Sequence, residues 1–280
     1  MFLSLRTLQN VLFKIYLNPG YRLAHQFDPD RFAARFELGE EYLAIVRNLP
    51  LGDIDDFARE LKAKQMTNLR LQMPMAYGWL AENRPEILRE FEEVSTLGRL
   101  AGRGALADLF VSHIREWCDY ADLPDALPEV ARLEHLLMSA RRDQEEAQRS
   151  GVKAPVPDVR SARFSWDSLY WTRPRTVVAH FEVDALSVLL KKRTMRDAGA
   201  SVWVVVAPAA SGQVPTVMRI AEPAYLVLSS MEEPIRARDL LERTADEGIE
   251  IEGSALRSLL SALEKAQVVG AHHEADRDGR

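Results

Sequence analysis

In the first half of the chain, apolar side chains recur at intervals of three and four residues, the period of one face of an α-helix. The clearest helix is predicted for Ala105 to Ala121, and a second long one for Glu129 to Glu146. The stripe on the first of these includes Leu106, Leu109, Phe110, Ile114 and Trp117. The pattern therefore predicts an all-α domain over residues 1–146.

The period changes after a polar segment. Residues 147–163 contain two prolines, a glycine and many charged side chains, which is typical of a linker between domains. Beyond them, Thr176 to Val183 alternates β-branched and other residues, which predicts a strand. Ser201 to Ala207 is continuously apolar, which predicts a strand buried on both faces. A short loop joins it to a third strand, Val214 to Ile220, so these two strands should form a hairpin.

Three short amphipathic helices follow the hairpin. The first is predicted to begin at Glu222-Pro223, the second to span Ala237 to Asp246, and the third Ala255 to Ala266. Strands followed by three such helices are typical of small winged-helix-like domains. We therefore expect an α+β protein in which an all-α N-terminal docking domain, 1–146, precedes a winged-helix-like domain, 164–280. That second domain should hold a small antiparallel sheet and the three helices.

Composition and charge limit the partners and the cellular compartment that we expect for this protein. The 280 residues carry a formal net charge of −6, which repels phosphate backbones and disfavours nucleic acid as a partner. Cys118 is the only cysteine, so no disulfide within the chain is possible and a reducing compartment fits. The N-terminal segment lacks a small-residue cleavage site, and no run approaches the ~18 apolar residues of a membrane span. We expect a cytoplasmic protein without a membrane anchor.

Motifs that carry catalytic chemistry are missing from the sequence. The six histidines form no HExxH pattern, and Cys118 has no partner at zinc-ligand spacing. Neither a GxSxG nucleophile nor a phosphate-binding glycine pattern occurs. We therefore expect no metal or other cofactor in this chain, and a function of binding rather than catalysis.

The predicted strand Val214 to Arg219, beside the third helix, is the first candidate binding surface. An exposed sheet edge can accept a peptide as an added strand, with specificity from neighbouring side chains. A basic cluster, Lys191, Lys192, Arg193 and Arg196, would favour an acidic peptide. The predicted peptide-binding residues are Val214, Thr216, Met218, Arg219, Leu256, Arg257 and Leu260.

An aromatic segment before the first strand of the second domain is the second candidate surface. Trp166, Tyr170 and Trp171 lie close together in the sequence, with Arg173 beside them. One interpretation is an apolar plug between the two domains. The other is an anchor for a partner protein, because Trp, Tyr and Arg dominate interface energies. On that second interpretation the partner-binding residues are Trp166, Tyr170, Trp171 and Arg173.

A winged-helix domain can also read DNA, so a transcription regulator is the alternative function. Residues 176–270 contain ten Lys and Arg against thirteen Asp and Glu. The third helix, which would enter the groove, offers only Arg257 and Lys265 as cations. A DNA-reading helix normally presents more positive charge, so the charge pattern favours peptide capture.

Two stretches resemble known families. The run IAEPAYLVLSSMEEPIRARDLLERTADEGIEIEGSALRSLLSALEKAQVV resembles the helical half of peptide-recognition domains of the PqqD kind. The run LPDALPEVARLEHLLMSA resembles a segment of the partner proteins of multinuclear-iron peptide oxidases, which act in the biosynthesis of methanobactin and 3-thiaglutamate-type ribosomal peptide products. In that partner family, too, a helical N-terminal domain precedes a small winged recognition domain.

The resemblance implies a non-catalytic subunit of a heterodimer. Such a subunit would bind a ribosomally synthesised precursor peptide and present a cysteine of that peptide to the multinuclear-iron oxidase. The iron would belong to the partner subunit, and this chain would hold no cofactor of its own.

Overall fold

The structure is a computed structural model of the chain, and it describes residues 2–36, 38, 40–95, 105–150, 164–208, 214–231 and 233–272. Within these residues the fold is α+β, as the sequence predicts, with 13 helices and two three-stranded antiparallel sheets. The chain divides into two compact units, Met1–Ala121 and Asp122–Arg280. Most of the predicted linker, residues 151–163, lies outside the described part of the chain.

The described part of the first unit is entirely helical. Several helices begin with a proline in the first turn, where the missing N–H costs no hydrogen bond. One core, which includes Val11, Ile15, Phe32 and Val46, holds the first five helices together. The helices are α1 (Phe2–Leu17), α2 (Pro19–Phe27), α3 (Pro29–Ala33), α4 (Glu40–Arg47), α5 (Leu51–Gln72), α6 (Pro74–Asn83), α7 (Pro85–Val94) and α8 (Ala105–Cys118).

The second unit contains both sheets and five helices among its described residues. In chain order its elements are α9 (Ala126–Arg149), β1 (Leu169–Thr172), β2 (Val177–Phe181), α10 (Ala185–Leu189), β3 (Val202–Ala207), β4 (Thr216–Ile220), α11 (Glu222–Ser229), β5 (Ile235–Arg236), α12 (Ala237–Asp246), α13 (Gly253–Lys265) and β6 (Val269–His272).

Helix α9 belongs to the second unit, whereas the sequence placed it at the end of the first domain. It packs against α10 and β3. Arg132 on α9 donates to His180 O at 2.8 Å, and Arg175 donates to Asp143 O of α9 at 3.0 Å. These bonds tie both ends of β2 to the helix. The compact units therefore divide before α9, between Ala121 and Asp122.

The strands form two separate sheets, in the orders β5-β1-β6 and β2-β3-β4. The predicted hairpin is present: β3 and β4 pair antiparallel from Trp203↔Ile220 to Ala207↔Thr216. Residues 204–207 of β3 are all buried, which confirms the prediction of a strand covered on both faces. One face, with Val205 and Ala207, packs on the winged-helix core, and α9 also packs against the strand.

The first sheet completes the winged-helix-like part. The sequence did not predict β1 or β5 as strands. Strand β1 lies centrally, pairing with β5 at Tyr170↔Ile235 and with β6 from Leu169↔His272 to Thr172↔Val269. Helices α11, α12 and α13 pack on this sheet around a core that includes Tyr170, Val227, Leu240, Leu256, Leu260, Leu263 and Val269.

Candidate functional site

Strand β4 is an edge of its sheet. It pairs with β3 on one side, and the described part of the chain provides no strand on its other side. We call this free side the β4 edge. Unpaired N–H and C=O groups along such an edge are a template for an added strand.

The predicted peptide-binding residues of this segment differ in where they point. Val214, just before β4, is 84% exposed. Thr216 donates its hydroxyl to Ala266 O at 3.2 Å, which ties the start of β4 to the end of α13. Met218 is half-buried against the winged-helix core. The strand is thus anchored through its inner face and through Thr216, and among the described residues no strand pairs along its other side.

Arg219 lies on the opposite face of β4 and contacts α10. Its Nη2 is 2.6 Å from Asp184 Oδ2, and the same nitrogen donates to Ser187 Oγ. Asp184 is the N-cap of α10, and its Oδ1 accepts from the N–H of Ser187 at 3.0 Å. Because Asp184 is mostly buried, Arg219 supplies the charge that a buried carboxylate needs.

The three predicted residues on α13 separate into core and surface. Leu256 and Leu260 are fully buried in the core of the winged-helix-like part, so they do not line an open groove beside β4. Arg257 is exposed, and its guanidinium lies 5.3 Å from the centre of the Phe164 ring, within the range of a cation–π contact. Of the seven predicted residues, the structure therefore leaves Val214, Thr216, Met218, Arg219 and Arg257 at least partly accessible.

The aromatic segment of the sequence forms part of the first sheet. Tyr170 on β1 is fully buried, and this burial, with the Glu264 carboxylate as a second cause, raises the pKa of its phenol to about 12. Trp171 covers Gly270 of β6 so closely that a methyl group on Gly270 would overlap the indole. Trp166 lies less closely against Gly253, at the start of α13, where a Cβ would be 3.2 Å from the indole.

Arg173 directly follows β1 and bonds to the segment between α13 and β6. Its guanidinium donates to Gln267 O at 3.0 Å, and its backbone N–H donates to Val268 O at 3.1 Å. Burial lowers the pKa of this guanidinium. Gln267 adopts a left-handed conformation (φ 59°) where α13 ends, so Arg173 holds the turn that leads into β6. Trp166, Trp171 and Arg173 keep part of their surface accessible, whereas Tyr170 does not.

A scan against protein-family models and a search of curated proteins each return no match for this chain.

One surface feature was not identified from the sequence. The rings of Trp203 and Tyr225 stack at 3.9 Å with 14° between their planes, and His180 contacts the same indole at 4.7 Å. Trp203 and His180 are cross-strand partners, and Tyr225 comes from α11. The cluster depends on strand register and on the position of α11, neither of which is visible in a local sequence pattern.

A search for metal-binding groups covers the part of the chain that the structure describes. No three His, Cys, Asp or Glu side chains there are grouped closely enough to hold a metal ion. Cys118, the one cysteine of the sequence, is half-buried at the end of α8. Nor does any helix among the described residues have both the length and the apolar character to cross a bilayer.

Proposed function

We propose that this chain is a non-catalytic subunit that binds a ribosomally synthesised precursor peptide along the β4 edge and presents it to a multinuclear-iron oxidase, which modifies a cysteine of the peptide. The iron resides in the partner, and the complex works in the cytoplasm. The proposal joins the resemblance of the sequence to the geometry of the second unit.

The β4 edge is the observation that carries the peptide-binding half of the proposal. It has five residues, pairs with a buried strand on one side and has no strand partner on the other among the described residues. Each main-chain hydrogen bond to an added strand contributes about 1 kcal/mol net. Ordering a peptide backbone costs about 1–2 kcal/mol per residue. Main-chain pairing alone therefore does not give tight binding, and side-chain contacts at the ends of β4 must add to it.

The helical unit provides a surface suited to the oxidase. Leu23 and Phe27 lie one turn apart on α2 and are 65% and 91% exposed. Neighbouring large apolar side chains that stay in water are typical of protein interfaces. We assign the oxidase contact to this face of α2.

DNA binding is the second candidate, favoured by the winged-helix-like arrangement of α12, α13 and β6. The α13 helix would then enter the major groove. The helix carries only two cations, Arg257 and Lys265, with Glu264 beside the second. This low positive charge supports peptide binding over DNA binding.

Affinity capture from the native host tests the proposal. The tagged chain should bring down an iron-containing protein together with a short ribosomal peptide, measured by metal analysis and peptide mass spectrometry. In the Leu23→Ser/Phe27→Ser variant, recovery of the iron protein should fall about tenfold or more, because two interface anchors are lost, while peptide recovery stays unchanged.

Tyr120→Ser is the matched control, since it removes another highly exposed apolar side chain from the same unit. It should leave both captured species at the level of the unmodified chain. Recovery of neither an iron protein nor a peptide would refute the proposal. A gel shift of duplex DNA that persists at physiological salt would favour the regulator instead.

A further inference from the structure

A loop with four exposed cations follows α10: Lys191, Lys192, Arg193 and Arg196. We call residues 191–196 the basic loop. It stands out because the whole chain carries a net charge of −6.

The basic loop is held in a defined conformation. The N–H groups of Lys191 and Lys192 donate to Val188 O and Ser187 O, at 2.9 and 2.8 Å, so the backbone turns sharply where α10 ends. Lys191 has the left-handed conformation (φ 56°) that such a turn requires. Met195 is buried and anchors the middle of the loop. The cations are therefore presented from an ordered backbone, which lowers the entropic cost of binding a ligand.

Arg193 has a structural role within the loop. Its guanidinium covers Gly199, where a Cβ would lie 2.9 Å from Arg193 Cζ, and Asp197 is its ion-pair partner at 3.4 Å. Gly199 itself has φ 80°, a conformation that favours glycine.

Three cations of the loop have no ion-pair partner in the described part of the chain. Asp184 and Asp197 are paired with Arg219 and Arg193, and Glu182 lies beside His180. Lys191, Lys192 and Arg196 form no ion pair with any residue that the structure describes.

Strand topology places the basic loop at one end of the β4 edge. Phe181, Val202 and Ile220 mark the same end of the sheet, because Phe181 pairs with Val202 and the neighbouring Trp203 pairs with Ile220. The connection from β2 to β3, which contains the loop, therefore lies where β4 finishes. A direct link supports this placement: Ser187 accepts from Arg219 of β4 through its Oγ and from Lys192 of the loop through its backbone oxygen.

The direction of an added strand follows from this placement. Both pairings in the sheet are antiparallel, so a peptide that continues the pattern begins opposite Ile220 and ends opposite Thr216. The residues just before its paired segment then reach the end of β4 where the basic loop lies.

We propose that the precursor peptide carries Asp or Glu residues immediately N-terminal to the segment that pairs with β4, and that Lys191, Lys192 and Arg196 bind those carboxylates. This inference rests on the proposed function and adds to it the charge and the polarity of the peptide. Three exposed ion pairs at low salt should together tighten binding about tenfold, and the gain should shrink as salt screens them.

Nucleic acid is a weaker match for this loop. Duplex affinity comes largely from neutralised phosphates, about six to ten in a strongly salt-dependent complex. This loop offers three cations that have no ion-pair partner among the described residues, on a chain of net charge −6. A strand-like acidic peptide uses the β4 edge and the loop together.

An mRNA-displayed library of random 15-residue peptides, selected on the full chain at about 50 mM salt, tests the inference. We expect enriched peptides to carry carboxylates directly before a β-prone segment. The Lys191→Glu/Lys192→Glu/Arg196→Glu variant should instead enrich Lys or Arg at those positions. A misfolded variant could not produce that inverted preference. In a binding assay with one enriched peptide, the single change Lys192→Gln should weaken binding about threefold.

The control variant, Lys64→Glu/Arg70→Glu/Arg89→Glu, makes the same charge change at exposed positions of the helical unit. It should select the same acidic peptides as the unmodified chain.

The remaining outcomes separate this inference from the function on which it rests. Enriched β-prone peptides without carboxylates, or with carboxylates only after the paired segment, would overturn the inference and leave peptide binding intact. No enrichment on the unmodified chain would overturn both. Binding of a 20-base-pair duplex at about 150 mM salt, lost in the basic-loop variant, would assign the loop to nucleic acid.

Discussion

Tyr170 provides a test of whether the aromatic segment is structural. The sequence suggested this tyrosine as a partner-binding residue, whereas the structure buries it completely on the central strand of a sheet. Burial, followed by the nearby Glu264 carboxylate, raises its pKa from 10.0 to about 12. An exposed tyrosine would titrate near 10.

The effect of this pKa shift on the free energy of unfolding follows from proton linkage. Since the folded pKa lies above the unfolded one, the protonated phenol contributes stability that is fully present below pH 10 and is lost as pH rises towards 12. Two pKa units correspond to about 3 kcal/mol. Tyr170→Phe cannot ionise, so its free energy of unfolding should fall less steeply than that of the unmodified chain over this range.

Two assays measure the effect. The difference in tyrosinate absorbance between the unmodified chain and Tyr170→Phe, followed through alkaline pH, should have its midpoint near 12. Denaturant unfolding of both proteins at pH 9 and pH 11 should show the unmodified chain losing about 1.4 kcal/mol more than the variant. A midpoint near 10 would refute the burial of Tyr170 and restore it as a candidate contact for a partner.

Two further predictions concern packing in the second unit. In a thermal melt, Gly270→Ala should destabilise the protein by about 1–3 kcal/mol, because the new methyl group overlaps the Trp171 indole. The control Gly78→Ala, at an open helix position, should be neutral or stabilising in the same assay. In denaturant unfolding, Leu260→Ala should lower the free energy of unfolding by about 2–5 kcal/mol, because it leaves a cavity in the core. The control Leu71→Ala, at an exposed position, should change it by less than about 0.5 kcal/mol. Equal effects of the two substitutions would contradict the assigned burial.

Local sequence patterns were sufficient to predict the elements that are determined by their own residues and the adjoining turns. The apolar run of β3, its hairpin with β4 and the bounds of α12 agree with the prediction, because period and turn residues determine them locally. They also gave the order of helical and mixed segments, and hence the α+β class.

Elements defined by distant partners could not be predicted in this way. Strand β1 has four residues, three of them aromatic or leucine, and its partners β5 and β6 lie more than 60 residues further along the chain. The same reason applies to α9, whose apolar face could pack in either unit. It also applies to Leu256 and Leu260, because the helical period places them on an apolar face without showing what covers that face. The position of the basic loop beside the β4 edge likewise depends on strand order.

Amide hydrogen exchange on the full chain, with and without the captured precursor peptide, tests the central claim most directly. The peptide should slow exchange in residues 216–220, because an added strand protects the β4 amides, and it should do so without comparable protection along the exposed face of α13. Unchanged exchange at β4, or protection confined to α13, would contradict peptide binding along the β4 edge.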